Sequence, residues 1–79
     1  MNSNRFIKVG DIVLNEFKEK YDREMSTGVV IETKDSLYKV KRLGKDEKGY
    51  FATGYFEWRG ANQLKLTGER IEDLKTLYL

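Results

Sequence analysis

A succession of short β signals dominates this chain: Val9-Gly10-Asp11-Ile12-Val13-Leu14, Thr27-Gly28-Val29-Val30-Ile31-Glu32, Leu37-Tyr38-Lys39-Val40-Lys41, and the Trp58-Arg59-Gly60-Ala61-Asn62-Gln63-Leu64 element. Apolar runs this brief, rich in β-branched residues and punctuated by glycine and polar turns, read as strands. Strung together they predict one small barrel, a curled antiparallel sheet of five short strands.

The first strand centres on Ile12-Val13-Leu14. The charged stretch from Asn15 to Met25 reads either as a turn of helix, with Phe17 and Tyr21 stacked at i,i+4, or as a long exposed loop. Val29 to Thr33 and Leu37 to Leu43 form a hairpin about Lys34-Asp35-Ser36, with Tyr38 and Val40 alternating against Lys39 and Lys41. The glycine-bounded segment from Gly44 to Gly49 reads as a polar loop feeding the aromatic run Tyr50 to Trp58, in which Gly54 marks a bulge or bend. Arg59 to Gln63 makes one tight helical turn before Leu64-Lys65-Leu66, a last strand that pairs back on the first.

In the tail, Ile71, Leu74 and Tyr78 share a helical stripe, with acids early and Lys75 late, which predicts a short amphipathic helix over 68–79. The expected organisation is a single domain, 1–79, made of a barrel over 6–67 and that helix. Leu74, Leu77, Tyr78 and Leu79 leave an apolar end that either covers its own barrel or pairs with a second copy in a homo-oligomer.

Composition narrows the functional classes. With 79 residues the chain cannot enclose a large substrate. Neither cysteine nor histidine is present, which removes disulfides, thiolate and imidazole metal ligands, and the commonest general base. Glu16, Glu19, Asp22 and Glu24 form no metal-ligand or catalytic constellation, and the serines and threonines have no evident base. The expectation is therefore no enzyme, no cofactor and no metal. A net charge of +2 gives only a weak basic bias. Neither a signal peptide nor a membrane span is legible, which predicts a cytoplasmic protein without a membrane partner.

The Val9 to Val13 opening, Thr27-Gly28-Val29-Val30, Tyr38-Lys39-Val40 and the Trp58 to Leu64 element together give the chain a likeness to a known group. Over residues 7–67 it resembles the SH3-like barrels, in the broad Tudor and KOW sense, and particularly the small SH3-like proteins encoded by bacteriophages. That resemblance implies an SH3-like fold, a host cytoplasmic location if the chain is phage-encoded, and non-enzymatic recognition of a peptide, a modified side chain or a nucleic acid. Such recognition uses aromatics and loops at one end of the barrel. The charged first loop, the long aromatic fourth strand and the tail helix depart from the group's pattern.

Two sets of residues are candidates for contact. Period two in the fourth strand sends Tyr50, Ala52, Gly54, Phe56 and Trp58 to one face and Phe51, Thr53, Tyr55 and Glu57 to the other. Small cores consume large side chains, so Phe56 and Trp58 are assigned to the core and Phe51 and Tyr55 to a partner surface. The second set is basic: Lys39, Lys41, Arg42, Lys45 and Lys48 gather about the third strand and its loop, with Arg59 and Lys65 nearby, and this face reads either as a solvated strand or as a patch that tracks phosphates.

The resulting expectation is a binding module that engages and modulates a host or phage protein. The alternative is a nucleic-acid-binding module using the basic third-strand face. Lys39, Lys41, Arg42, Phe51, Tyr55 and Arg59 are the contact residues, and the loops at Asn15 to Met25 and Gly44 to Gly49 are its adaptable readers.

Overall fold

The structure, a computed structural model, describes residues 7–18 and 23–77. Five strands form one antiparallel sheet: β1 (Asp11–Lys18), β2 (Arg23–Lys34), β3 (Leu37–Asp46), β4 (Gly49–Gly60) and β5 (Leu64–Arg70). Their spatial order is β4-β3-β2-β1-β5, so the last strand returns to lie beside the first, as the sequence predicts. A 3-10 turn at Ala61–Gln63 links β4 to β5, and a second occupies Leu74–Leu77.

The strands are longer than their apolar runs. Pairing of β1 with β2 continues through Phe17↔Glu24 to Lys18↔Arg23, so the charged segment expected as helix or loop is strand on both sides, and 19–22 lie outside the described residues. Likewise β3 and β4 pair down to Asp46↔Gly49, reducing the expected Gly44 to Gly49 loop to a tight hairpin. Backbone hydrogen bonding propagates a ladder beyond the residues whose side chains are buried.

The inner face holds Ile7, Val13, Val30, Val40 and Leu64, with Tyr38, Ala61 and Leu66 packed against them. On the opposite face Ile12, Val29, Leu43 and Leu77 form a second cluster, joined by Ile31, Tyr50, Ala52, Ile71 and Leu74. The tail therefore packs on its own sheet. It does so without the amphipathic helix expected over 68–79: 68–70 belong to β5, and 74–77 make only the 3-10 turn. Anchoring explains the difference. Ile71 N–H donates to Gly10 O (2.8 Å), and Arg70 grips Asp11 Oδ1 through Nη1 (2.5 Å) and the Val9 carbonyl through Nη2 (3.1 Å), holding the chain extended where a helix would start. So short a helix is marginal without such competition. Tyr78, assigned to the same stripe, lies outside the described residues. No helix among the described residues is long and apolar enough to cross a membrane.

The inner packing leaves no room at Gly28. A Cβ there would overlap Val40 Cγ1 and approach the Lys41 carbonyl to 3.0 Å. Overpacking of this kind costs about 1–3 kcal/mol, so Gly28→Ala is expected to lower the unfolding free energy by that amount, read as a lower urea midpoint with the slope of the transition unchanged.

Candidate functional site

The register of β3 against β4 generates the site. Lys39 lies across from Trp58 and Lys41 from Phe56, which places these four side chains on one face. Beyond them the pairing shifts: between Lys41↔Phe56 and Leu43↔Ala52, Arg42 alone opposes Thr53, Gly54 and Tyr55. This is the bulge anticipated at Gly54, whose φ of +91° suits glycine. Thr53 Oγ1 closes it by donating to the Arg42 carbonyl (3.1 Å). Because the excess is two residues, alternation is preserved, and Tyr50, Ala52, Phe56 and Trp58 still share a face.

Along this seam, cations from β3 sit over rings from β4. Lys39 Nζ lies 4.1 Å from the centre of Phe56 and 5.9 Å from that of Trp58, the Arg42 guanidinium lies 4.8 Å from Tyr55, and Lys45 Nζ lies 5.1 Å from Tyr50. Each contact is electrostatically favourable, at about 0.5–1 kcal/mol when exposed. The rings remain open to solvent: Phe56 is 47% exposed and Tyr55, at the bulge, 53%; farther along the sheet Leu37, opposite Gly60, is exposed as well. Trp58 is half-buried and lines a groove of about 440 Å³ with Leu37, Lys34 and Asp35.

The assignment of Phe56 and Trp58 to the core therefore fails. Aliphatic residues fill the inner face, and the second cluster takes in Tyr50 and Ala52 but neither Phe56 nor Trp58. Of the residues expected at the site, Lys39 and Lys41 lie on the aromatic face, and Arg42 and Tyr55 come together at the bulge. Phe51 is exposed but stands apart, its ring over Gly44. Arg59 is turned toward the inner side, where its Nη2 meets Glu57 Oε1 (3.0 Å), while Glu57 Oε2 accepts from Asn15 Nδ2. Leu37, Phe56 and Trp58 were not among the expected contact residues, although the alternation Leu37-Tyr38-Lys39-Val40-Lys41 carried the signal that Lys39 and its outer-face neighbours point away from the core.

Charges on this face are compensated in part. Lys39 Nζ lies 3.9 Å from Glu32 Oε1, an exposed pair of little energetic weight. No family model matches the chain, and neither a curated protein nor a solved structure shows significant similarity to it.

At the far end of the seam the Tyr50 hydroxyl donates to Glu69 Oε1 (2.9 Å). That bond, with desolvation and the charge of Glu69 added, raises the phenol above its usual 10.0. A raised native pKa stabilises the fold fully below the unfolded value and ceases to do so as pH climbs through the native one. Tyr50→Phe is accordingly expected to be less stable than the parent at neutral pH, with the difference shrinking above pH 10.0, as read from urea unfolding on either side of that window.

Proposed function

We propose that the chain is a non-enzymatic binding module of SH3-like architecture, which engages a protein partner through the outer face of β3 and β4. The strand order, with β5 returning to β1 and a 3-10 turn leading into it, supports the SH3-like reading. The observation that carries the functional reading is the exposure of Leu37 and Phe56 on the face where Trp58 lines a groove, neither of them belonging to the buried core of the described residues. Exposed rings and aliphatics gathered on one face of so small a protein are what an interface uses as anchors.

A protein is favoured over a nucleic acid because the field is weak. The net charge is +2, Lys39 is near Glu32, Arg59 is bound to Glu57, and Asp35 lines the groove. A phosphate-tracking surface needs a denser and less compensated array. The resemblance to small phage proteins makes a host protein the partner class to try first.

The test is a tagged pull-down from bacterial lysate, run with and without nuclease and washed at low and high salt. A discrete protein is expected to survive nuclease and high salt with the parent chain and to be lost with Phe56→Ala. Recovery of nucleic acid alone, released as salt rises, would contradict the proposal.

A further inference from the structure

Strand β4 ends the sheet, with β3 on one side and, among the described residues, no strand on the other. Past its bulge at Thr53 to Tyr55, the stretch Phe56-Glu57-Trp58-Arg59-Gly60 pairs regularly with β3. Hydrogen-bonded and non-hydrogen-bonded pairs alternate along an antiparallel ladder, and the tight turn from β2 to β3 sets the parity. With Lys34↔Leu37 closing that turn, Leu37, Lys39 and Lys41 direct their backbone groups to β2, so their cross-strand neighbours Gly60, Trp58 and Phe56 direct theirs to the open edge. Two side-chain bonds agree with this. Arg59 Nη1 donates to the Trp58 carbonyl (3.2 Å), and the Gly60 N–H donates to Gln63 Oε1 (3.2 Å). Such local bonds can be exchanged for those of an incoming backbone at little net cost.

We propose that Phe56 to Gly60 pairs antiparallel with the same stretch of a second copy of the chain, about a two-fold axis at Trp58, so that two sheets become one. This needs no other molecule and is independent of the reading of the outer face as a site for a protein partner.

The edge is self-complementary in this register. An axis at Trp58 sets Glu57 against Arg59 of the second copy, Phe56 against its Gly60, and Trp58 against its own counterpart. Within one chain Arg59 Nη2 already meets Glu57 Oε1 (3.0 Å), so the two copies bring together a neutral group of four charges. Moving the axis by one residue places Glu57 against Glu57 or Arg59 against Arg59, and like charges directly opposite are destabilising. A half-residue move sets an edge-facing residue against one that faces β3. Larger moves carry the stretch into the bulge or into the turn at Ala61–Gln63.

An aromatic over a glycine also has a parallel inside the chain, where Phe51 lies across from Gly44 with its ring over that residue. Edges are ordinarily protected by lysine, proline or a bulge. Phe56 to Gly60 contains no lysine or proline, whereas the opposite edge, β5, carries Lys65 and a shifted register against β1. A two-fold axis perpendicular to the sheet keeps both outer faces on one side, so the exposed Phe56 and half-buried Trp58 of each copy gain cover from β4 of the other. So short a paired segment makes a small interface, which predicts a reversible dimer.

The experiment is sedimentation velocity of the chain alone from about 1 μM to about 1 mM, a range that spans weak association, with amide hydrogen exchange at both ends of it. The expected result is a monomer–dimer equilibrium that goes no further. The edge-facing amides of Phe56 and Trp58 should slow as concentration rises, while those of Glu57 and Arg59, directed to β3, stay unchanged. Trp58→Lys, which brings two ammonium groups together at the axis, should weaken the dimer about tenfold or more, with urea unfolding to verify that the variant is folded. Should it fail to fold, Phe56→Ala, on the exposed side, should still weaken the dimer severalfold. A chain that stays monomeric throughout, or a dimer in which Phe56 and Trp58 exchange as in the monomer, would overturn the proposal. Growth past two copies with protection of β5 would overturn it as well, in favour of head-to-tail addition of β4 to β5. None of these results bears on the protein-partner reading, which is judged by capture of a second protein.

Discussion

Two dipeptides, Ile12-Val13 in β1 and Val29-Val30 in β2, bury their side chains completely on opposite faces of the same pair of strands. Most of the remaining architecture follows from that double burial. A half-buried antiparallel strand alternates apolar with polar, whereas consecutive buried residues require cover on both sides. The curl of the sheet covers Val13 and Val30 with Val40 and Leu64. Ile12 and Val29 are covered by the chain after β5, through Ile71, Leu74 and Leu77. The contacts at Gly10, Asp11 and Arg70 gain their importance here, because they fix the point from which that cover is laid down.

Filling both layers with aliphatic side chains has a consequence for β4. Along the outer row Ile12, Val29, Lys41 and Phe56, set by successive cross-strand pairs, the surroundings pass from fully buried to open. Among the described residues Phe56 and Trp58 belong to neither cluster, and the Lys39 ammonium from β3 lies over both rings. An arrangement that contributes little to folding but presents rings, an aliphatic side chain and lysines on a rigid strand pair is suited to recognition. Fold and proposed site are thus separable: one is carried by the two buried layers, to which β3 contributes Val40 and Leu43, the other by the exposed Phe56 and Trp58 side of β3 and β4.

Much of this was legible in the sequence. β-Branched runs located the first two strands, the alternation of Tyr38 and Val40 with lysines the third, the aromatic run the fourth and Leu64-Lys65-Leu66 the fifth, while Gly54 marked the bulge and Arg59 to Gln63 announced the turn before the last strand. Where the reading failed, two signals were ambiguous for a physical reason. Ile71 and Leu74 are spaced as on a helix, yet the same spacing serves an irregular segment laid across a sheet, and only the long-range bonds from Gly10 and Asp11 to 70–71 decide between them. For Phe56 and Trp58, side-chain size argued for burial. Their true environment depends on whether smaller residues already fill the core, which is a property of the assembled sheet. The basic residues were correctly grouped around β3, but Arg59 faces inward to Glu57 through the parity of its strand, with Phe56 and Trp58 taking the outward positions beside Lys39.

The central claim is that the aromatic face is dispensable for folding while the aliphatic layers are not. The most direct measurement is the unfolding free energy of Phe56→Ala beside that of Leu64→Ala, from urea titrations at neutral pH. Leu64, fully buried on the inner face, should cost about 2–5 kcal/mol, and Phe56, half open to solvent beside the Lys39 ammonium, should cost no more than about 1 kcal/mol. Equal losses for the two would place Phe56 in the core and contradict the assignment of this face to binding.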